Sequence, residues 1–220
     1  MPEAQTQDYG SFEGNKITGL IAETAETAGI KLESCLDVGC GLKPAITWFR
    51  SLAGANAVHT CTESDPEMVE TLLQRGVDVV DPFTTDRDLA RDLVLAKEVA
   101  EHIAREDSPD FFRFCAKNSR KMFAMTTPNF EHWLRKKPND KDMKFMPAHM
   151  LHFDPASKNP HNHKQIMTPQ SVHDYLTNAF DKSWEIRVYR AWPWKIQDLA
   201  RDKVWDLHFK IFAMAWKRPE

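Results

Sequence analysis

Short apolar runs alternate with stretches of helical periodicity over the first 130 residues, and no other feature of this 220-residue chain restricts its fold as much. Runs at 35–38, 57–62, 77–80, 93–96 and 121–125 read as buried strands. Segments 45–52, 66–75 and 109–117 between them carry helical spacing, with Pro66 suited to a first helical turn and Gly76 to a stop. An earlier helix, 15–28, ends at Gly29. Strands joined through helices rather than hairpins need crossovers, so the sheet is parallel and covered on both faces. Later, Thr168 caps a helix at 169–180, and 184–189 and 208–216 alternate as a further strand pair. The fold class is therefore α/β, with a seven-stranded, mostly parallel sheet and a C-terminal antiparallel pair. The connection at 193–206 is expected to hold a short helix.

Residues 1–220 read as one domain. Within it, 129–167 breaks periodicity with eight Pro or Asn residues and holds five histidines, an irregular insertion on the acceptor side. With 42% hydrophobic and 28% charged residues the chain falls outside the disordered and low-complexity classes. The net charge of −3 removes a global electrostatic argument for nucleic acid, although Arg135-Lys136-Lys137 leaves a local one. Four cysteines lack metal-type CxxC spacing, and no leader or membrane-spanning run is present, which points to a reduced, cytoplasmic setting. All eight glycines lie at or before Gly76, whereas eight of nine histidines follow residue 100. Close backbone approach to a ligand belongs to the first third, and side-chain chemistry to the rest.

Asp37-Val38-Gly39-Cys40-Gly41 ends the first strand and opens onto a helix, where α/β sheets bind nucleotide-like ligands. A plain strand-to-helix turn would look similar, and a dinucleotide GxGxxG is excluded by Leu42-Lys43-Pro44. The second strand ends in Glu63, the third in Asp81, and the fourth starts at Asp92. "LDVGCG", "ESDPEM", "VDVVDPF", "DLVLAKEVAEHI" and "MTTPN", in this order over roughly residues 30–130, resemble the class I S-adenosylmethionine-dependent methyltransferases. That resemblance implies a Rossmann-like fold and S-adenosyl-L-methionine as cofactor. By position it places Gly39 and Gly41 at the methionine moiety, Asp37 at its amino group, Glu63 at the ribose and Asp81 at the adenine amine. Lys43-Pro44 stands where the family carries a third glycine; the exchange is tolerable if that backbone keeps negative φ.

Glu98, Glu101 and His102 follow the fourth strand, and their spacing would put them on one face of a helical turn. Two carboxylates and an imidazole there form half of a divalent-cation site, with Glu98 and His102 also the candidates for catalysis. "EVAEH" is read equally as a helix entry that binds no metal. Glu-x-x-Glu-His, "TTPN" and "HK" before a Thr-capped helix look like small-RNA 3′-terminal 2′-O-methyltransferases and ubiquinone-pathway O-methyltransferases. The first resemblance implies Mg²⁺ or Mn²⁺ on Glu98, Glu101, His102 and His163, with His161 competing for the last place. Phe130 and Trp133 read as a stacking face for the acceptor or as a buried plug, whereas His149 and His152 read as lining or surface residues and Trp192 and Trp194 as packing on the sheet edge. O-methylation of a small hydroxylated or glycosyl acceptor is favoured over RNA. A non-catalytic methyltransferase-like binding partner stays as the reading from another class, and the oligomeric state is left open.

Overall fold

The computed structural model describes residues 16–130, 154–157, 162–192, 195–198 and 210–218. Its strands form one sheet in the order β3-β2-β1-β4-β5-β8-β6-β7. They are β1 (Ser34–Val38), β2 (Val58–Thr62), β3 (Val79–Val80), β4 (Arg91–Lys97), β5 (Ser119–Pro128), β6 (Trp184–Trp192), β7 (Lys195–Asp198) and β8 (Lys210–Lys217). The seven expected strands are all present, with β1 to β5 parallel and β8 antiparallel to both β5 and β6. The eighth, β7, pairs antiparallel with the outer side of β6. It occupies part of the connection where a short helix was expected: Lys195–Asp198 finds an open sheet edge, and ladder pairing overrides weak local preference.

The helices are α1 (Lys16–Thr27), α2 (Ile46–Ala53), α3 (Pro66–Gln74), α4 (Ser108–Asn118) and α5 (Pro169–Ala179). Local chemistry explains their starts. Asp65 accepts from the backbone N–H groups of Glu67 and Met68 and so caps α3. Thr168 and Ser171 satisfy each other's backbone N–H in a capping box on α5. α1 and α2 cover one face of the sheet, with Ile21 and Phe49 buried against Leu93, Leu95 and Phe212. α4 and α5 cover the other, where Phe112, Val172 and Leu176 pack on Val94, Phe123 and Ala213. Truncating a fully buried ring such as Phe49 to Ala would cost about 3–5 kcal/mol.

Strand order reverses between β1 and β4, the neighbours that lead away to β2 and to β5. At such a switch point the crevice outside the C-terminal strand ends is where these sheets bind ligands. Of the expected insertion, residues 131–153 and 158–161 lie outside the described residues, as do 1–15. Trp133, His149, His152, His161, Trp194 and the 135–137 basic run accordingly lie outside the described residues.

Candidate functional site

The turn after β1 takes positive φ at Gly39 (59°) and Gly41 (56°). A Cβ on Gly39 would meet Val99 Cγ2 at 3.0 Å, so this glycine is required by space as well as by φ. Among the described residues the one non-glycine with positive φ is Glu98, hence Leu42, Lys43 and Pro44 are free of that strain. The missing third glycine has no conformational cost. The Leu42 carbonyl accepts from Arg75, and that of Lys43 from Lys97 at 3.3 Å, so side chains hold the loop instead.

Glu63 at the end of β2 ties the turn to its own strand. One carboxylate oxygen accepts from the Gly41 N–H at 3.0 Å, the other from Ser64 and Asp65. Asp81 after β3 accepts from the Phe83 N–H and the Thr84 hydroxyl. A cavity of about 560 Å³ lies above these ends, lined by Gly39, Glu63, Phe83, Val99, His102 and Lys164 among others. Asp37, Gly41 and Asp81 are not in its wall. Asp37 is buried and turned inward, accepting from the Ala45 N–H at 2.7 Å where α2 begins. It braces the turn from behind. Phe83, 84% exposed at the lip, escaped the sequence reading. Its signal was available: an aromatic two residues beyond Asp81, with no apolar partner in the periodic pattern, has stacking on a planar ligand as its use.

Beyond His102 the wall passes into a second group of side chains. Ala100–His102 form a single 3₁₀ turn, and Glu98 precedes it at φ 53°. The expected helical face carrying all three residues is thus not formed, because left-handed Glu98 breaks it. Glu101, His102 and His163 nevertheless converge, each offering a ligand atom within 4.8 Å of the others. The Glu101 carbonyl accepts from the N–H groups of Lys164 and Gln165, which brings the segment holding His163 alongside. The His102 and His163 rings meet edge to face at 4.9 Å. His102 Nδ1 lies 3.2 Å from the Asn162 carbonyl; since a carbonyl accepts, the contact fits a proton on Nδ1.

Glu101 is 2% exposed, and one carboxylate oxygen accepts from the Thr127 hydroxyl at 2.9 Å. Burial, then the Glu98 charge, push it well above the usual carboxylate range, against the pull of Thr127 and Lys210. Glu98 stands outside the converging trio, 3.3 Å from the buried ammonium of Lys210 on β8. The donors present, one carboxylate and two imidazoles with a second carboxylate adjacent, are a mixed nitrogen–oxygen set of the kind that can hold a divalent transition-metal ion; Mg²⁺, which takes oxygen ligands, fits it less well. Lys210 compensates part of the negative charge, a contribution from a strand whose lysine no motif had singled out. Its signal was weak: a lysine at the start of an otherwise apolar strand.

No protein-family model and no curated protein matches the sequence. Solved structures do. A SAM-dependent methyltransferase from Archaeoglobus fulgidus is 14% identical, with 90% of this chain and 94% of that one covered at a TM-score of 0.52. The plantazolicin methyltransferase BamL, solved with a desmethyl-plantazolicin analogue and SAH, is 8% identical at 0.63, covering 94% and 85%. The Pnkp1/Rnl/Hen1 RNA repair complex contains a chain 16% identical at 0.54, covering 91% of this chain and 42% of that one. Its strand order, the glycine turn and these likenesses together give the chain the fold of the class I SAM-dependent methyltransferases.

Proposed function

We propose that the chain transfers a methyl group from S-adenosylmethionine to a hydroxyl of a small hydroxylated or glycosyl acceptor. The observation that carries this reading is the single cavity that runs from Gly39, Glu63 and Phe83 to His102. Gly39 gives the backbone close approach to the methionine moiety, Glu63 keeps acceptor capacity for a ribose hydroxyl beside its three backbone donors, and Phe83 offers a face for adenine. The acceptor oxygen attacks the methyl carbon in line, the carbon–sulfur bond breaks, and S-adenosylhomocysteine leaves with the electron pair. Positioning is the main task, and the hydroxyl proton must go elsewhere.

His102 is suited to accept that proton at Nε2, with Nδ1–H held by Asn162. Glu98 precedes the Ala100–His102 turn and pairs with the Lys210 ammonium at 3.3 Å. With a cation bound, His102 Nε2 would be a ligand in place of the base: Glu101, His102 and His163, with Glu98 beside them, would hold a divalent cation such as Mn²⁺, whose chemistry there is to lower the pKa of the acceptor hydroxyl. Asp107 and Asp110 on the cavity rim disfavour a polyanion and support a small acceptor.

A second reading, methylation of a 2′-hydroxyl at an RNA 3′ end, is favoured by one observation, the convergence of Glu101, His102 and His163. Calorimetric titration with S-adenosylhomocysteine tests the cofactor step, and no binding by the pure protein overturns the enzyme reading. Methyl transfer to glycoside or phenol panels against 3′-terminal RNA, with and without chelator, separates the acceptors. RNA methylation that a periodate-oxidised 3′ end abolishes would select the second reading.

A further inference from the structure

Behind the glycine turn, register pairs Asp37 with Cys61 and Cys35 with His59, so these four side chains share one face of β1 and β2. His59 Nδ1 lies 3.8 Å from Cys61 Sγ, and Nε2 lies 3.6 Å from Asp37 Oδ2. The His59 side chain is wholly buried, yet Nε2 has no hydrogen-bond partner among the described residues. The Phe49 ring, 6.2 Å away, packs over the imidazole on the apolar side. Asp37, His59 and Cys61 each bring a ligand atom within 4.8 Å of the other two. Cys40 belongs to the same buried cluster as Cys61, and its thiol donates to the Gly41 carbonyl at 3.4 Å.

A buried nitrogen without a partner is costly, and an ion is one of the occupants that removes the cost. Ligand atoms about 2.0–2.3 Å from a tetrahedral zinc stand about 3.3–3.8 Å apart, close to the two separations at His59. Those separations involve opposite ring nitrogens, and a tilt of the ring aims one nitrogen at the shared space. One sulfur, one imidazole and one carboxylate converge here, and Cys40 packs in the same buried cluster as Cys61; such donors suit a thiophilic cation, whereas the group after β4 contains no sulfur.

We infer that Asp37, Cys40, His59 and Cys61 form a site for a zinc-type divalent cation seated behind the cofactor turn. The inference does not depend on the acceptor or on methyl transfer. On binding, Cys40 and Cys61 lose their protons to solvent and two metal–sulfur bonds form, leaving no redox change. The bound ion would join the end of β1, the Gly39–Gly41 turn and β2 into one rigid unit.

The test is titration of the reduced full chain with Cd²⁺, followed by the ultraviolet cadmium–thiolate charge-transfer band. One equivalent should saturate the band, Zn²⁺ should compete it away, and Glu101→Gln should leave it unchanged. Cys40→Ser/Cys61→Ser should abolish it. No band at stoichiometric Cd²⁺, or one that survives the double substitution, overturns the inference. Should that variant fail to fold, alkylation of the wild-type chain with and without Zn²⁺, read by peptide mass, decides. Protection of Cys40 and Cys61 beyond that of Cys35 and Cys115 supports the site; equal labelling of all four overturns it.

Discussion

The ends of β1 to β3 and the ends of β4, β5 and β8 handle their carboxylates in opposite ways. At the first, Asp37, Glu63 and Asp81 each accept from backbone N–H groups of the loop beside them. At the second, Glu98 and Glu101 face each other and depend on side chains: Lys210 for one, the Thr127 hydroxyl for the other. Backbone donors cost no side-chain entropy and stay in place, so the cofactor end is pre-shaped. The acidic pair stores repulsion that an added cation would relieve.

Lys210→Met attacks the second end most directly. Leaving a partly buried carboxylate pair without its cation should destabilise the chain by about 2–3 kcal/mol in denaturant unfolding, with Glu98→Gln in the same chain restoring most of the loss. No loss would remove Lys210 from the charge balance. Gly39→Ala attacks the first end. Left-handed backbone costs roughly 1–2 kcal/mol, and the new Cβ meets Val99. S-adenosylhomocysteine affinity should fall about tenfold, as calorimetry would read, and an unchanged affinity would show that the turn is softer than its geometry.

Glu101→Gln sharpens the contrast through pH. Because Glu101 is raised in the folded chain, its contribution to stability is fully present below the ordinary carboxylate pKa and is lost as pH rises through the folded value. With chelator present, the variant should melt about 2–4 °C above wild type near neutral pH, the shift ~1 kcal/mol makes in a chain this long. The gap should close on acidification, and with Mn²⁺ present it should narrow or reverse. A gap that ignores pH would place the effect outside ionisation. Phe83→Ala has the smallest expected effect. Loss of one stacking face, about 0.5–1.5 kcal/mol, should weaken S-adenosylhomocysteine binding a few-fold without moving the melting temperature.

Local rules made much of the first end readable in the sequence. Gly39 and Gly41 announce a turn that side chains cannot follow, and Glu63 and Asp81 sit where strands stop. Asp37 shows the limit, since a motif states that a carboxylate is needed but not which way it points, and here it faces Ala45. At the second end, spacing suggested a helical face for Glu98, Glu101 and His102, but the left-handed Glu98 is set by the meeting of β4 with the Thr126 carbonyl, to which its N–H donates. His163 could be singled out beside His161, yet Lys210 could not, because it approaches from β8, far along the chain. The extra strand β7 was hidden for the same reason: an edge on offer decides its conformation.

β8 is made after β6 and β7 but lies between β5 and β6. During vectorial synthesis both neighbours therefore expose unpaired edges until the β8 residues emerge, a window in which strangers can pair with them. Lys210 rides on that strand, so the acidic pair meets its ammonium in the same event that closes the sheet. Quality of folding and readiness of the second site are thus reported by one late zipper, and a nascent chain stalled before it would carry a shaped cofactor turn beside an unfinished acidic half.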